Sequence, residues 1–158
     1  MTAEVGTPDG FVERLARATL VHVDARVLAL HLTATGHVAR TDVVFAGIRD
    51  GRITAQTSSL SLYQILAEVY RQGEAALARE VARTLRLHAR LELVPAGPEI
   101  ALQAAEVRAR LGGRPERAFQ IATALVSGAE IYLTTGSVLR RIAGMLVLNM
   151  EDVTSDDG

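Results

Sequence analysis

Short apolar runs that alternate with amphipathic helical segments constrain the fold of this chain more than any other feature of its sequence. Five runs are typical of strands: Val21–Val23, Ile53–Ala55, Leu91–Val94, Ile131–Leu133 and Leu146–Leu148. Strands separated by helices are joined by crossovers, and crossovers connect parallel strands. The runs are apolar on both sides, as a sheet with two covered faces requires. The sequence therefore predicts an α/β fold with three layers, α/β/α, around a mostly parallel, about five-stranded sheet.

The segments between these runs carry helix signals. We predict helices in "ARVLALHL", "RTDVVFAGIRDG", "LSLYQILAEVYRQG", "EAALAREVARTLRLHAR", "PEIALQAAEVRARLGG" and the stretch that ends at Gly128. Glycines stand where several of them should stop, and Pro98 suits a first helical position. We also predict one or two helical turns in "SVLRRI", between the last two strands.

Length and composition limit the classes of protein that this chain can represent. Its 158 residues suffice for one domain with a sizeable core. We divide it into an N-terminal extension (1–18), a domain (19–153) and an acidic tail (154–158). The absence of cysteine excludes disulfides and thiolate zinc sites. No leader peptide and no membrane-spanning run is visible, so we expect a cytoplasmic location.

Polar residues at the ends of the predicted strands indicate where a ligand would bind. In open α/β sheets, ligands bind beyond the carboxyl ends of the strands. That rule places Asp24, the Thr57–Ser58 region and Thr134 to Gly136 on one edge of the sheet. We expect a functional site there.

Three stretches resemble the PIN domain family, the fold of VapC-type toxin ribonucleases. They are "VHVDARVLAL", "TSSLSLYQILAEV" and, most specifically, "RAFQIATALVSGAEIYLTTGSVLRRIAGMLVL". The resemblance covers the chain from about residue 20 to residue 153. It implies four acidic residues at the sheet edge that hold one or two divalent cations, Mg²⁺ or Mn²⁺. The metal would activate water and neutralise charge at the scissile phosphate of RNA.

Only one of the four implied acids is present. Asp24 stands at the end of the first strand, whereas the other three positions carry Gln64, Arg117 and Gly136. Arg26 also replaces a hydroxyl or amide residue that usually follows the first acid. A guanidinium near Asp24 would repel a dication, so we expect an ion pair between Arg117 and Asp24 and no bound metal. With three of the four acids missing, the resemblance implies a degenerate nuclease. Such a protein would act as a regulatory module or as a module that binds RNA or protein.

Two alternatives remain open at this point. Asp24 could combine with the displaced acids Glu68 and Glu116 in a working Mg²⁺-dependent endoribonuclease toxin. The chain could instead be an oligomeric scaffold, because family members commonly pair through helices. We expect a homodimer, supported by the apolar helix that carries Tyr63 and Tyr70, and an antitoxin-like protein is a candidate partner.

A further group of candidate binding residues is basic. Four arginines at helical spacing form one stripe, which could contact phosphates or an acidic partner: Arg79, Arg83, Arg86 and Arg90. Arg26 joins them as a candidate binding residue. A solvated helix surface is the other interpretation of the stripe. His22 lies in a buried strand and is predicted to be a hydrogen-bonded core residue.

Overall fold

The computed structural model describes residues 8–32 and 38–152, which fold around one six-stranded sheet. The strands are β1 (Val21–Val23), β2 (Ala55–Ser58), β3 (Leu91–Val94), β4 (Ile131–Thr134), β5 (Arg141–Ile142) and β6 (Met145–Asn149). The helices are α1 (Pro8–Arg17), α2 (Ala25–Leu32), α3 (Val38–Arg49), α4 (Leu60–Arg71), α5 (Ala75–Leu87), α6 (Pro98–Leu111) and α7 (Pro115–Val126). A 3-10 helix, Met150–Asp152, follows β6.

The sheet order is β3-β2-β1-β4-β6-β5, and every pairing is parallel except that of β5 with β6. Helices cover both faces. One apolar cluster contains Phe11, Leu28, Ile48 and Leu85, whereas α6 and α7 contribute Val107 and Ile121 to the other. The predicted three-layer α/β/α fold with a mostly parallel sheet is confirmed, and the sheet has six strands rather than about five.

The largest differences from the predicted strands are at β2 and in the segment before β6, whereas β4 differs from its prediction by one residue at one end and β6 by one residue at each end. Residue Ile53 lies before β2, which begins at Ala55. The Ile53 side chain is buried against Gly47, where an added Cβ would approach Ile53 Cδ1 to 2.7 Å, and the amide of Ile53 donates to the Gly47 carbonyl. In the sequence pattern, a buried apolar residue of the loop between α3 and β2 was therefore interpreted as the start of a strand.

The predicted helical turn in "SVLRRI" is wrong. Arg141 and Ile142 form β5, which pairs antiparallel with Leu146 and Met145. The connecting residues Ala143 and Gly144 both have left-handed φ values, 47° and 86°. Two such residues form the tight turn of a β-hairpin, so the chain reverses here instead of continuing as a helix.

The structure also changes the predicted boundaries of one helix and adds detail to the N-terminal extension. Helix α5 stops at Leu87 because His88 takes an extended conformation, so the last predicted residues of that helix are not helical. Within the N-terminal extension, α1 buries Phe11 and Leu15 completely in the core. The predicted acidic tail lies outside the described residues. In the described ranges no helix has the length and apolar character needed to cross a bilayer.

Candidate functional site

A cleft of about 410 Å³ opens at the carboxyl edge of the sheet, beside β1 and β4. Its walls come from α2, α4, α7 and the segment after β4. The lining includes every predicted position of the metal site and both displaced acids: Asp24, Gln64, Glu68, Glu116, Arg117 and Gly136. Arg26 also lines it. The structure thus brings together residues that are more than 100 positions apart in the sequence.

Asp24 is held by three hydrogen bonds. It directly precedes α2, and its Oδ1 accepts from the backbone amide of Arg26 (3.1 Å), which places Asp24 at the helix N-terminus as a cap. Its Oδ2 accepts from the hydroxyls of Thr134 (2.7 Å) and Tyr132 (3.1 Å). Burial, followed by the charge of Asp24, raises the pKa of Tyr132 well above its ordinary value, so the phenol remains a donor. Both carboxylate oxygens are therefore engaged inside the protein.

A chain of buried side chains continues from the cleft floor into the sheet. The Gln56 amide donates to His22 Nδ1 (3.2 Å), and His22 Nε2 donates to Gln120 Oε1 (2.8 Å). The Gln120 amide donates to Ser61 Oγ (2.9 Å). His22 also stacks on Tyr132 with ring centroids 5.3 Å apart. His22 is thus a hydrogen-bonded core residue, as predicted.

The direction of this chain is fixed by its far end. Thr57 Oγ1 donates to the Val23 carbonyl (2.6 Å), so the Ser61 hydroxyl must donate to Thr57 (2.7 Å). Each donor then has one acceptor, as low-dielectric polar networks require. Burial lowers the pKa of His22 to about 4, so the ring is neutral at pH 7.

Gln64 is part of the same network. Its Oε1 accepts from the second amide hydrogen of Gln120 (2.8 Å), so this oxygen is not directed at a ligand. One turn further along α4, Glu68 accepts from Arg71 Nε (2.9 Å) and from Gln72 Nε2 (3.0 Å). These hydrogen bonds, from Arg71 first, lower the pKa of Glu68. The displaced acid Glu68 is thus paired on the helix surface.

The ion pair expected between Arg117 and Asp24 is not formed. In the part of the chain that the structure describes, no guanidinium nitrogen of Arg117 lies within 4.0 Å of a carboxylate oxygen of Asp24. Arg117 is exposed, and its guanidinium lies 3.8 Å from the point where a Cβ on Gly113 would stand. Arg117 thus lines the cleft at its α7 wall, beside the Gly113 turn, without pairing with Asp24.

Arg26 is the cation that crosses the sheet edge. Its Nη1 donates to the carbonyl of Thr135 (3.3 Å) and lies 3.8 Å from the Cβ position of Gly136. The side chain therefore spans from the end of β1 to the end of β4. The sequence placed Arg26 among candidate binding residues but gave no signal for this direction, which depends on the neighbouring strand.

The segment after β4 is organised by an acid that sequence analysis missed. Glu151, in the 3-10 helix, accepts from the hydroxyl of Thr135 and from the amide of Gly136 (3.0 Å). Gly136 has φ 69°, in the left-handed region that favours glycine. The only sequence signal was an acidic residue two positions after the last strand, which ends at the same sheet edge.

The donor atoms in the cleft do not match the needs of a hard dication. Mg²⁺ binds carboxylate oxygens in octahedral geometry. Over the described residues, no group of three or more histidine, cysteine, aspartate or glutamate side chains is arranged to hold a metal ion. Among the described residues, Glu116 contributes a buried Oε2 with no hydrogen-bond partner, but the basic residue Arg117 follows it in the sequence and Glu68 is paired with Arg71. A metal site at Asp24 would require rearrangement.

The basic stripe lies along α5 and the turn that follows it, outside the lining of this cleft. Arg79, Arg83, Arg86 and Arg90 are all exposed, and none takes part in an ion pair with another described residue. The Arg90 guanidinium packs over Gly51, where an added Cβ would meet Nη1 at 2.8 Å. The stripe is thus a basic surface that no acid of the described residues neutralises through an ion pair.

Comparison with known proteins identifies relatives of this architecture. The family model of the PIN domain matches residues 21–145. A search of curated proteins finds no match. Similar solved structures include VapBC2 from Rickettsia felis bound to a promoter DNA fragment, with a TM-score of 0.65 and 13% identity over 83% of this chain and 98% of that one.

Two other solved structures are similar at comparable levels. The sarcin-ricin loop cleaving toxin VapC20 from Mycobacterium tuberculosis has a TM-score of 0.59 and 17% identity, over 71% of this chain and 86% of that one. A toxin–antitoxin complex from Klebsiella pneumoniae has a TM-score of 0.59 and 14% identity, over 82% and 97%. At these identities the likeness concerns the fold.

Proposed function

The chain belongs to the PIN domain family, and from that premise we propose that it is a PIN domain without metal-dependent ribonuclease activity that binds RNA. The observation that carries this proposal is the state of Asp24. It is the one acid retained at the implied metal positions, and both of its oxygens accept hydrogen bonds from the protein. A carboxylate used in this way caps α2 and orders the ends of β1 and β4.

The charges around Asp24 support the same proposal. Arg26 reaches across the sheet edge, and Arg114 and Arg117 line the cleft from the start of α7. A divalent cation would be repelled by these guanidinium groups. Phosphate oxygens, in contrast, are well matched to them, because arginine donates two parallel hydrogen bonds to such groups.

The basic stripe is the second support for RNA binding. Its four arginines are exposed and unpaired by other described residues, so they can neutralise phosphates and release counterions. A shallow basic helix surface of this kind fits backbone contacts that are independent of sequence. The retained role would then be regulatory, with RNA bound but not cut.

A protein partner is a second candidate, favoured by one observation. Solved relatives of this fold include toxin–antitoxin complexes. An antitoxin-like protein with acidic side chains could occupy the basic surfaces in place of RNA. The homodimer expected from the sequence belongs to the same proposal, since Tyr63 and Tyr70 are exposed on α4.

The proposal is tested by measuring cleavage and binding of the same single-stranded RNA. In Mg²⁺ or Mn²⁺ the protein should leave the RNA intact, and in EDTA it should still bind it. Arg83→Ala should weaken binding and reduce the salt-dependence slope by about 0.7 for each phosphate that is no longer neutralised. Arg108→Ala, which removes an exposed arginine from α6, is the matched control and should leave both quantities unchanged.

Cleavage that requires the metal and disappears in Asp24→Ala would overturn the proposal. Glu68 and Glu116 would then become the leading additional ligands of an active endoribonuclease. If RNA neither binds nor is cut, while an acidic protein binds in an Arg83-dependent manner, the protein-partner candidate replaces RNA binding.

A further inference from the structure

Three arginine side chains line the cleft in addition to Arg71. Arg26 lies at the ends of β1 and β4, while Arg114 and Arg117 flank the start of α7. Within the described part of the chain, none of the three makes an ion pair of 4.0 Å or less. Exposed guanidinium groups gathered in a concave surface attract an anion more strongly than the same groups on a convex one.

The acidic side chains of the cleft offset this charge only in part. Asp24 is buried, and its oxygens point to Tyr132, Thr134 and the start of α2. Glu68 is paired with Arg71, so that pair adds no net charge. Glu116 keeps its Oε2 buried. Apart from the Glu68–Arg71 pair, the charged side chains that line the cleft are three arginines and two acids, so the cleft carries an excess of positive charge.

The start of α7 adds donors on the same side. This helix of 12 residues begins after Arg114, which provides no side-chain cap, and Pro115 occupies the first turn. The first amides of a helix lack partners within the helix and carry partial positive charge. This feature adds to the arginine cluster and reinforces its preference for an anion.

An aromatic side chain completes the cleft. Tyr63 lies on the α4 wall and is 62% exposed, so its ring is available to a ligand. Stacking of a nucleobase on an aromatic ring is a common element of single-strand recognition. A volume of about 410 Å³ lies within the range of small-molecule sites.

We propose that this cleft binds the phosphate group of a nucleotide without a divalent cation. Arg26, Arg114 and Arg117 hold the phosphate oxygens, and Tyr63 stacks on the base. The proposal rests on the proposed function, because an intact metal site would exclude a guanidinium at the position of Arg26. The same phosphate chemistry is presented by an RNA strand and by a free nucleotide.

The test is calorimetry in EDTA with four probes: adenosine 5′-monophosphate, adenosine, inorganic phosphate and a short oligoadenylate. Adenosine 5′-monophosphate should bind at least tenfold more tightly than adenosine. Arg26→Ala and Arg117→Ala should each weaken it about tenfold, since a charge-assisted hydrogen bond is lost. Tyr63→Ala should weaken the nucleotide about tenfold but leave inorganic phosphate unchanged. Arg108→Ala, which removes an exposed arginine of α6 outside the cleft, is the control with unchanged affinity.

The outcomes separate the two proposals. If only oligoadenylate binds and Arg26→Ala and Arg117→Ala weaken it, the site is supported with an RNA strand as the source. If oligoadenylate binds through Arg83 while Arg26→Ala and Arg117→Ala change nothing, this inference is overturned and the proposed function survives. If cleft binding appears only when Mg²⁺ replaces EDTA, both are overturned.

Discussion

Replacement of Asp24 by alanine tests whether this carboxylate is structural. The side chain is 8% exposed and accepts three hydrogen bonds. Loss of a helix cap costs about 1 kcal/mol. Two buried hydroxyls, those of Tyr132 and Thr134, would also lose their acceptor at about 1 kcal/mol each, the lower end of the range because the adjacent cleft can admit water. The expected loss in the free energy of unfolding is about 3 kcal/mol.

Urea denaturation in EDTA measures this loss directly. A domain of this size changes its melting temperature by about 2–4 °C per kcal/mol, so thermal unfolding should shift downward by about 6–12 °C. Asp24→Asn retains an acceptor oxygen and should lose only about 1 kcal/mol. Asp50→Ala removes an exposed acid and should stay within about 0.5 kcal/mol of the parent protein.

A metal-ligating Asp24 would behave in the opposite way. Carboxylates gathered for a cation repel one another when the metal is absent, so removal of one leaves the metal-free protein equally stable or stabilises it. An Asp24→Ala variant that unfolds in EDTA at the same urea concentration as the parent would refute the structural role. The Asp50→Ala control shows whether a general effect of charge explains the change.

Three further predictions concern other parts of the account. The folded-state pKa of His22, about 4, is below its ordinary value of 6.5. The contribution of this histidine to the free energy of unfolding, about 3 kcal/mol, is therefore complete above pH 6.5 and is lost as the pH falls towards 4. In urea denaturation, His22→Gln should show a smaller pH dependence of stability than the parent protein. Mg²⁺ binding detectable by calorimetry should appear in a triple variant with Gln64→Glu, Arg117→Asp and Gly136→Asp, and more clearly when Arg26→Ser is added. Arg117→Asp alone should not bind Mg²⁺. A folded fourfold variant that does not bind Mg²⁺ would contradict the assignment of these positions. Light scattering at tens of micromolar should give a dimer mass, and a monomer mass would refute the expected homodimer.

The sequence predicted the sheet well where apolar residues were bounded by clear stop signals. The ends of β1 and β3 agree with the structure, and β4 and β6 each extend slightly beyond the predicted residues. Pattern alone could not distinguish a buried loop residue from a strand at Ile53. It also missed the hairpin at Ala143, because a left-handed alanine is set by pairing of the flanking residues rather than by its own preference.

The candidate site was predictable in position but not in the partners of its side chains. Topology placed Asp24 and Gly136 at one edge because parallel strands end together. The hydrogen bond between His22 and Gln120 joins residues 98 positions apart, and the direction of Arg26 depends on where β4 ends. A long side chain has several possible partners within reach, and its direction depends on which neighbours the fold places around it. In this fold Arg26, rather than Arg117, crosses the sheet edge. Sequence spacing contains no information on that choice.

Calorimetric titration with Mn²⁺ tests the central claim, that the carboxyl edge of this PIN domain no longer holds a divalent cation. The parent protein and Asp24→Asn, which keeps most of the stability, should be titrated under the same conditions after EDTA removal. We expect no heat of binding that depends on Asp24 at concentrations up to the millimolar range. Binding near micromolar concentration that is lost in Asp24→Asn and in Glu116→Gln would contradict it.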